Sequence, residues 1–189
     1  MLIYLHGFNS FTSQERKKWL RENIDKDLYA PEFDWTKDGV REVCEYLEVL
    51  VENTDDLTPT IMGKSLGGLI AKGVAANLGL NLIMINPSLY PADSLRTAEN
   101  IRIEHYKSGN IYFTGEFVDR LEREKPSGHF GGALVLLDEG DEVLDSNATF
   151  EELKDHYHVI MYPGGNHRFQ HWEEAKDEIK KMCNWVCPI

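Results

Sequence analysis

The chain has 189 residues, and its 20 lysines and arginines stand against 32 aspartates and glutamates, a formal net charge of -12 at pH 7. That balance argues against a nucleic-acid surface, which asks for a basic patch. The length suits one domain over 1–189, burying about 70% of the surface the unfolded chain exposes.

The residues Leu2, Ile3, Tyr4 and Leu5 read as a strand with no charged leader before them, and no apolar run approaches the roughly 20 residues of a membrane span. A cytoplasmic protein is expected. The strand ends at His6-Gly7-Phe8-Asn9, where Gly7 lets the backbone turn toward whatever lies above it. Thr12 and Glu15 have capping-box spacing and open a predicted helix containing Trp19, Leu20 and Ile24. Leu28, Tyr29 and Ala30 read as a second strand, stopped by Pro31, and 38–53 as a helix with Val40, Val43, Cys44, Leu47, Leu50 and Val51 in period.

The stretch 59–79 organises the chain. Ile61 and Met62 lead into Gly63-Lys64-Ser65-Leu66-Gly67, and Leu66, Leu69, Ile70, Val74 and Leu78 then follow at helical spacing. Strand, sharp turn and helix around Gly-x-Ser-x-Gly describe a nucleophile elbow, with the glycines giving strand and helix room to approach. A glycine-rich turn without chemistry is the alternative. The overlapping Gly-Lys-Ser could also end a phosphate-binding loop, but that motif needs a glycine five places before Gly63, and position 58 is Thr.

A fourth, almost wholly apolar strand over 80–85 ends at Asn86-Pro87-Ser88. Residues 89–131 interrupt the rhythm with Pro91, Gly109, Gly115 and Pro126 among Tyr90, Tyr106, Tyr112, Phe113, Phe117 and Phe130, and read as a lid-like insertion of short helices and turns. A fifth strand over 133–137 runs into Asp138-Glu139-Gly140-Asp141-Glu142-Val143-Leu144. A helix near 146–155 precedes a sixth strand over 158–162 and the loop Pro163-Gly164-Gly165-Asn166-His167. The last helix carries Trp172, Ala175, Ile179, Met182, Cys183 and Val186 on one face. Six mainly parallel strands alternating with helices predict a three-layer α/β fold, with helices on both faces. Cys44, Cys183 and Cys187 form no Cys-x-x-Cys pair and read as reduced, buried thiols; no metal-ligand grouping surrounds them.

In such sheets ligands bind beyond the carboxyl ends of the strands. His6-Gly7-Phe8, Ser65, Asn86, Asp138, Asp141 and His167 all fall there. A serine needs a base within hydrogen-bond reach, and the base needs an acid to hold its tautomer. Of the seven histidines, His167 alone follows the last strand in a glycine-rich loop, so it is the expected base; the bland alternative is a surface loop histidine. Asp138 and Asp141 compete as the acid. Gly140 turning the chain and Val143-Leu144 anchoring it favour Asp141, while Asp138 would finish the strand and pair with backbone groups. The backbone N–H groups of Phe8 and Leu66 are the expected oxyanion donors, with Asn9 and Ser10 bracing their loop.

Taken together, Tyr4-Leu5-His6-Gly7-Phe8-Asn9-Ser10, Gly63-Lys64-Ser65-Leu66-Gly67-Gly68, Asn86-Pro87, Gly140-Asp141-Glu142-Val143-Leu144 and Gly164-Gly165-Asn166-His167-Arg168-Phe169 resemble the YqiA-type family of small bacterial α/β-hydrolase esterases. The resemblance covers nearly the whole chain, least well over 89–131. It implies an α/β-hydrolase fold and hydrolysis of a carboxylic ester or acyl-thioester by Ser65, Asp141 and His167. That chemistry needs no metal or organic cofactor; a small-molecule substrate and a monomer or small homo-oligomer are expected. Lys64 departs from the smaller or uncharged residue expected there. A non-catalytic binding protein on the same scaffold, or a carbon–carbon or dienelactone-type hydrolase with the same triad, are the competing readings.

Overall fold

The structure, a computed structural model, describes the chain apart from residues 36, 57–58, 97–101, 106–108, 113–118, 121–122, 124–131 and 186–189. Its centre is a six-stranded sheet of β1 (Leu2–Leu5), β2 (Leu28–Tyr29), β3 (Thr60–Lys64), β4 (Asn81–Ile85), β7 (Ala133–Asp138) and β8 (His158–Tyr162). The spatial order is β2-β1-β3-β4-β7-β8, and every pairing is parallel. The carboxyl ends of the strands therefore share one edge, as the alternation of strands and helices predicts.

Helices cover both faces. α1 (Gln14–Asn23) and α6 (Trp172–Cys183) lie on one, and α2 (Val40–Glu52), α3 (Leu66–Leu78) and α5 (Ser146–Leu153) on the other, with the short α4 (Pro91–Arg96) following β4. The side-chain period of two divides each strand between the layers. Ile3, Leu5, Ile61, Leu82, Met84, Val135 and Leu137 pack with Val43, Leu47, Ile70 and Val74. Leu2, Tyr4, Met62, Ile83, Ile85, Leu134 and Leu136 pack with Leu20, Trp172, Ala175 and Ile179. Strands apolar on both faces are what a sheet sandwiched by helices requires.

Two local expectations are corrected. α1 is capped by Ser13, whose hydroxyl accepts from the Arg16 N–H at 3.1 Å. The predicted cap Thr12 is instead buried, and the equivalent hydroxyl of the next residue, which stays at the helix start, takes its place. Within 89–131, the expected short helices and turns give way in part to an antiparallel hairpin, β5 (Arg102–His105) with β6 (Gly109–Tyr112). The aromatic residues Tyr106, Phe113, Phe117 and Phe130, on which the lid expectation rests, lie outside the described residues, as do Val186 and Cys187. Cys44 and Cys183 are free, partly buried thiols. Among the described residues, no helix is long and apolar enough to cross a membrane.

Candidate functional site

Ser65 stands between β3 and α3 with φ 54° and ψ -125°, a conformation that costs a non-glycine residue on the order of 1–3 kcal/mol and is kept only where the surroundings enforce it. Here they do. The Ser65 N–H donates to the Ile85 carbonyl at 3.0 Å, and the Ser65 carbonyl accepts from the N–H groups of Gly68 at 2.9 Å and Ser88 at 3.1 Å. Gly67 packs so tightly that a Cβ there would run into the backbone carbonyls of Leu5 and His6. The motif glycine thus lets the helix start lie directly on the end of β1.

The loops after β7 and β8 bring two distant side chains to Ser65. His167 Nε2 lies 3.1 Å from Ser65 Oγ, and His167 Nδ1 lies 2.8 Å from Asp141 Oδ2 and 3.0 Å from Oδ1. Asp141 Oδ1 also accepts from the N–H groups of Val143 at 2.8 Å and Leu144 at 2.9 Å. Burial pushes the Asp141 carboxyl up, but its bonds from His167, Leu144 and Val143 outweigh this and hold it below the ordinary aspartate value. An ionised Asp141 can only accept, so the proton on Nδ1 points to it and Nε2 presents a lone pair to Ser65.

Asp138 is used differently. It is fully buried, and its Oδ2 accepts from the N–H groups of Asn166 at 3.0 Å and Gln170 at 2.8 Å. Its Oδ1 meets Nδ1 of His171 at 2.7 Å. The expectation that Asp138 pairs with backbone groups is met, and it adds a second aspartate–histidine pair that sequence reasoning missed. The His171 ring stacks on Tyr162, with centroids 5.0 Å apart and planes 10° apart. Asn86, at φ 40°, completes the brace: its Oδ1 accepts from the Asp138 N–H at 2.9 Å, and its Nδ2 donates to the Asn166 carbonyl at 3.1 Å and to the His167 carbonyl at 3.4 Å. Glu142, also missed, accepts from the His167 N–H at 3.0 Å. The signal for these residues was their place beyond strand ends, which the sequence marked for Asn86 and Asp138.

The turn after β1 is fixed from below. His6 is buried; its Nε2 accepts from the Phe33 N–H at 3.1 Å, so its Nδ1 carries the proton of the neutral ring and donates to the Gly7 carbonyl at 2.9 Å. Ser10 Oγ donates to the same carbonyl at 2.8 Å, the bracing role expected of it. Trp35 Nε1 donates to the His6 carbonyl at 3.0 Å. The Gly7 carbonyl and the Phe8 N–H belong to one planar trans peptide and point opposite ways, so two donors on the carbonyl set the direction of the N–H. The peptide joining Ser65 to Leu66 is held alike, through the Gly68 and Ser88 bonds to the Ser65 carbonyl.

The model of "Uncharacterised protein family (UPF0227)" matches residues 1–184. A UPF0227 protein of Vibrio parahaemolyticus is 27% identical over 187 residues, covering 97% of this chain and 99% of that one. One from Shewanella woodyi is 29% identical over 172 residues, covering 89% and 91%. Among solved structures, Est1E from Butyrivibrio proteoclasticus superposes with a TM-score of 0.69 at 15% identity, over 95% of this chain and 85% of that one. The monoacylglycerol lipase of Paleococcus ferrophilus gives 0.56 at 18% identity, over 95% and 90%. At such identities the structures speak for the fold, which is that of the α/β-hydrolases. With the match running over the elbow, both aspartates and His167, the chain belongs to the UPF0227 family, the YqiA-type family that its motifs resemble.

Proposed function

We propose that the protein is a serine hydrolase that cleaves carboxylic ester or acyl-thioester bonds through an acyl-enzyme on Ser65. The observation that carries this reading is the unbroken hydrogen-bonded chain from Ser65 Oγ through both nitrogens of His167 to Asp141. In the proposed reaction Ser65 Oγ attacks the acyl carbon while His167 Nε2 takes its proton, and Asp141 balances the imidazolium that forms. The N–H groups of Phe8 and Leu66 receive the oxyanion. Collapse of the tetrahedral intermediate expels the alcohol or thiol, which leaves with the proton from His167. Water, activated by the same nitrogen, then releases the acid and restores Ser65.

The energetic logic favours acyl transfer. The strain at Ser65 and the two anchored peptides are arranged before substrate arrives, so little reorganisation remains at the moment when charge develops on the oxygen. A panel of aryl esters and acyl-thioesters of graded chain length tests the reading. Turnover is expected for at least one class, and Ser65→Ala is expected to lower kcat toward background, a loss on the order of 10⁶-fold for an efficient serine hydrolase. Wild-type turnover no greater than that of Ser65→Ala across the panel would favour a binding protein on this scaffold.

A further inference from the structure

The chain is strongly acidic, yet the cavity bordered by Lys64 and Arg168, the chain neighbours of Ser65 and His167, is basic. It measures about 440 Å³ and is lined by Arg16, Lys64 and Arg168 with Thr12, Trp172 and the Asn9-Ser10 turn, and among the described residues no aspartate or glutamate borders it. Lys64 immediately precedes Ser65 and Arg168 immediately follows His167, so the cavity adjoins the proposed reaction centre through the chain itself.

We propose that this cavity is a subsite for an anionic group, a carboxylate or a phosphoryl group, carried by the substrate that Ser65 attacks. The proposal rests on the acyl-transfer reading given above and names the kind of substrate it would select. None of Arg16, Lys64 and Arg168 forms an ion pair with a carboxylate among the described residues. Carboxylates reach two of them only through the wider field, Glu15 and Glu173 at Arg16 and Asp141 at Lys64.

Two neutral donors point the same way. The Thr12 hydroxyl and the Trp172 indole N–H are buried without a hydrogen-bond partner, and both residues line this cavity. Buried polar groups are rarely left unpaired, because each forfeits its bonds to water. The Arg16 guanidinium is held 3.7 Å over the Trp172 ring, which fixes its plane and leaves its N–H edges for a planar or tetrahedral oxyanion. Burial, Arg168 and Arg16 together disfavour the charged form of Lys64; an anion placed among the three would relieve that repulsion. The volume suits a group of a few carbons bearing one such charge.

The test compares size-matched pairs that differ in charge, on the full chain at constant ionic strength. With the anion on the acyl side, 4-nitrophenyl hemiglutarate is set against 4-nitrophenyl pentanoate; with it on the leaving group, 3-acetoxybenzoate is set against 3-acetoxybenzamide. One anionic member is expected to exceed its neutral partner in kcat/KM by about tenfold or more, and which pair does so locates the charge. Arg16→Gln and Arg168→Gln should each shrink that ratio by at least about threefold, whereas Lys18→Gln, which removes an exposed charge elsewhere on α1, should leave it. Equal rates within both pairs, or a ratio that survives both arginine substitutions, overturns the proposal while the acyl-transfer reading stands. Titration of glutarate and of inorganic phosphate, followed by tryptophan fluorescence, gives a readout that does not need turnover. Saturable binding weakened in both arginine variants supports the subsite even if no ester is cleaved, and the tighter of the two anions names the group; no saturable binding of either overturns it.

Discussion

Asp138 ends β7 and Asp141 follows three residues later, and they take different histidines: Asp138 holds His171 at 2.7 Å, while Asp141 holds His167 at 2.8 Å. Only the second histidine reaches Ser65. The first pair anchors the loop on which the second is carried, since Asp138 also accepts from the N–H groups of Asn166 and Gln170 on either side of His167.

The two aspartates should therefore fail in different ways. Asp141→Asn is expected to fold normally and lose kcat by as much as about 10⁴-fold, because the amide favours the wrong imidazole tautomer and cannot balance its charge. Asp138→Asn removes a buried carboxylate that accepts two backbone N–H groups and a histidine, at a cost of about 2–4 kcal/mol. Its Tm should fall by roughly 5–15 °C for a chain of this size, with a smaller loss in kcat. Melting curves and kinetics of both variants, measured together, distinguish the roles; the reverse pattern would exchange them.

Asp141 also sets a pH dependence of stability. Its folded carboxyl lies below the ordinary 3.8, so the stabilisation it provides is present above the unfolded value and is lost as pH falls through the lower folded value. The difference in unfolding free energy between wild type and Asp141→Asn should be level above about pH 5 and narrow below about pH 4. Denaturant titrations across that range test this, and a difference that grows on acidification would contradict it.

At the elbow, Gly67→Ala would press a methyl group into the Leu5 and His6 carbonyls. Overpacking of this kind costs about 1–3 kcal/mol, and relief by moving α3 would carry the Leu66 N–H away from the position proposed for the oxyanion. Activity is expected to fall further than the loss of stability alone explains. Kinetics at a temperature where the variant is fully folded separate the two effects.

Ser10→Ala tests the anchored peptide. Removing one of the two donors to the Gly7 carbonyl should loosen the direction of the Phe8 N–H without deleting it. The expected loss in kcat is on the order of tenfold, less than the 10²–10³ that follows deletion of a whole oxyanion donor. An unchanged kcat would remove Phe8 from the proposed oxyanion pair.

The sheet was legible because its strands are short apolar runs buried on both faces, a pattern that survives without tertiary information: Leu82 to Ile85 and Ala133 to Leu137 could hardly lie elsewhere. That Ser65, His167 and Asp141 come together was legible through position, each falling just past a strand end. The cap of α1 was misplaced by one residue since Thr12 and Ser13 offer the same hydroxyl, and only packing chooses between them. The β5–β6 hairpin was missed because four-residue strands, with Gly109 opening the second, carry too few alternations to stand out. The pairing of Asp138 with His171 depends on Phe169 at φ 63° folding the chain back after His167, a conformation an aromatic residue gives no hint of adopting.

The central claim, that Ser65 is a nucleophile activated by His167, is tested most directly by intact-protein mass spectrometry after exposure to a fluorophosphonate probe. An elbow serine beside a base reacts, while an ordinary serine does not. One adduct on Ser65 is predicted for the wild type, none for Ser65→Ala, and much slower labelling for His167→Ala. A wild-type protein left unlabelled, or an adduct that persists in Ser65→Ala, would contradict the account.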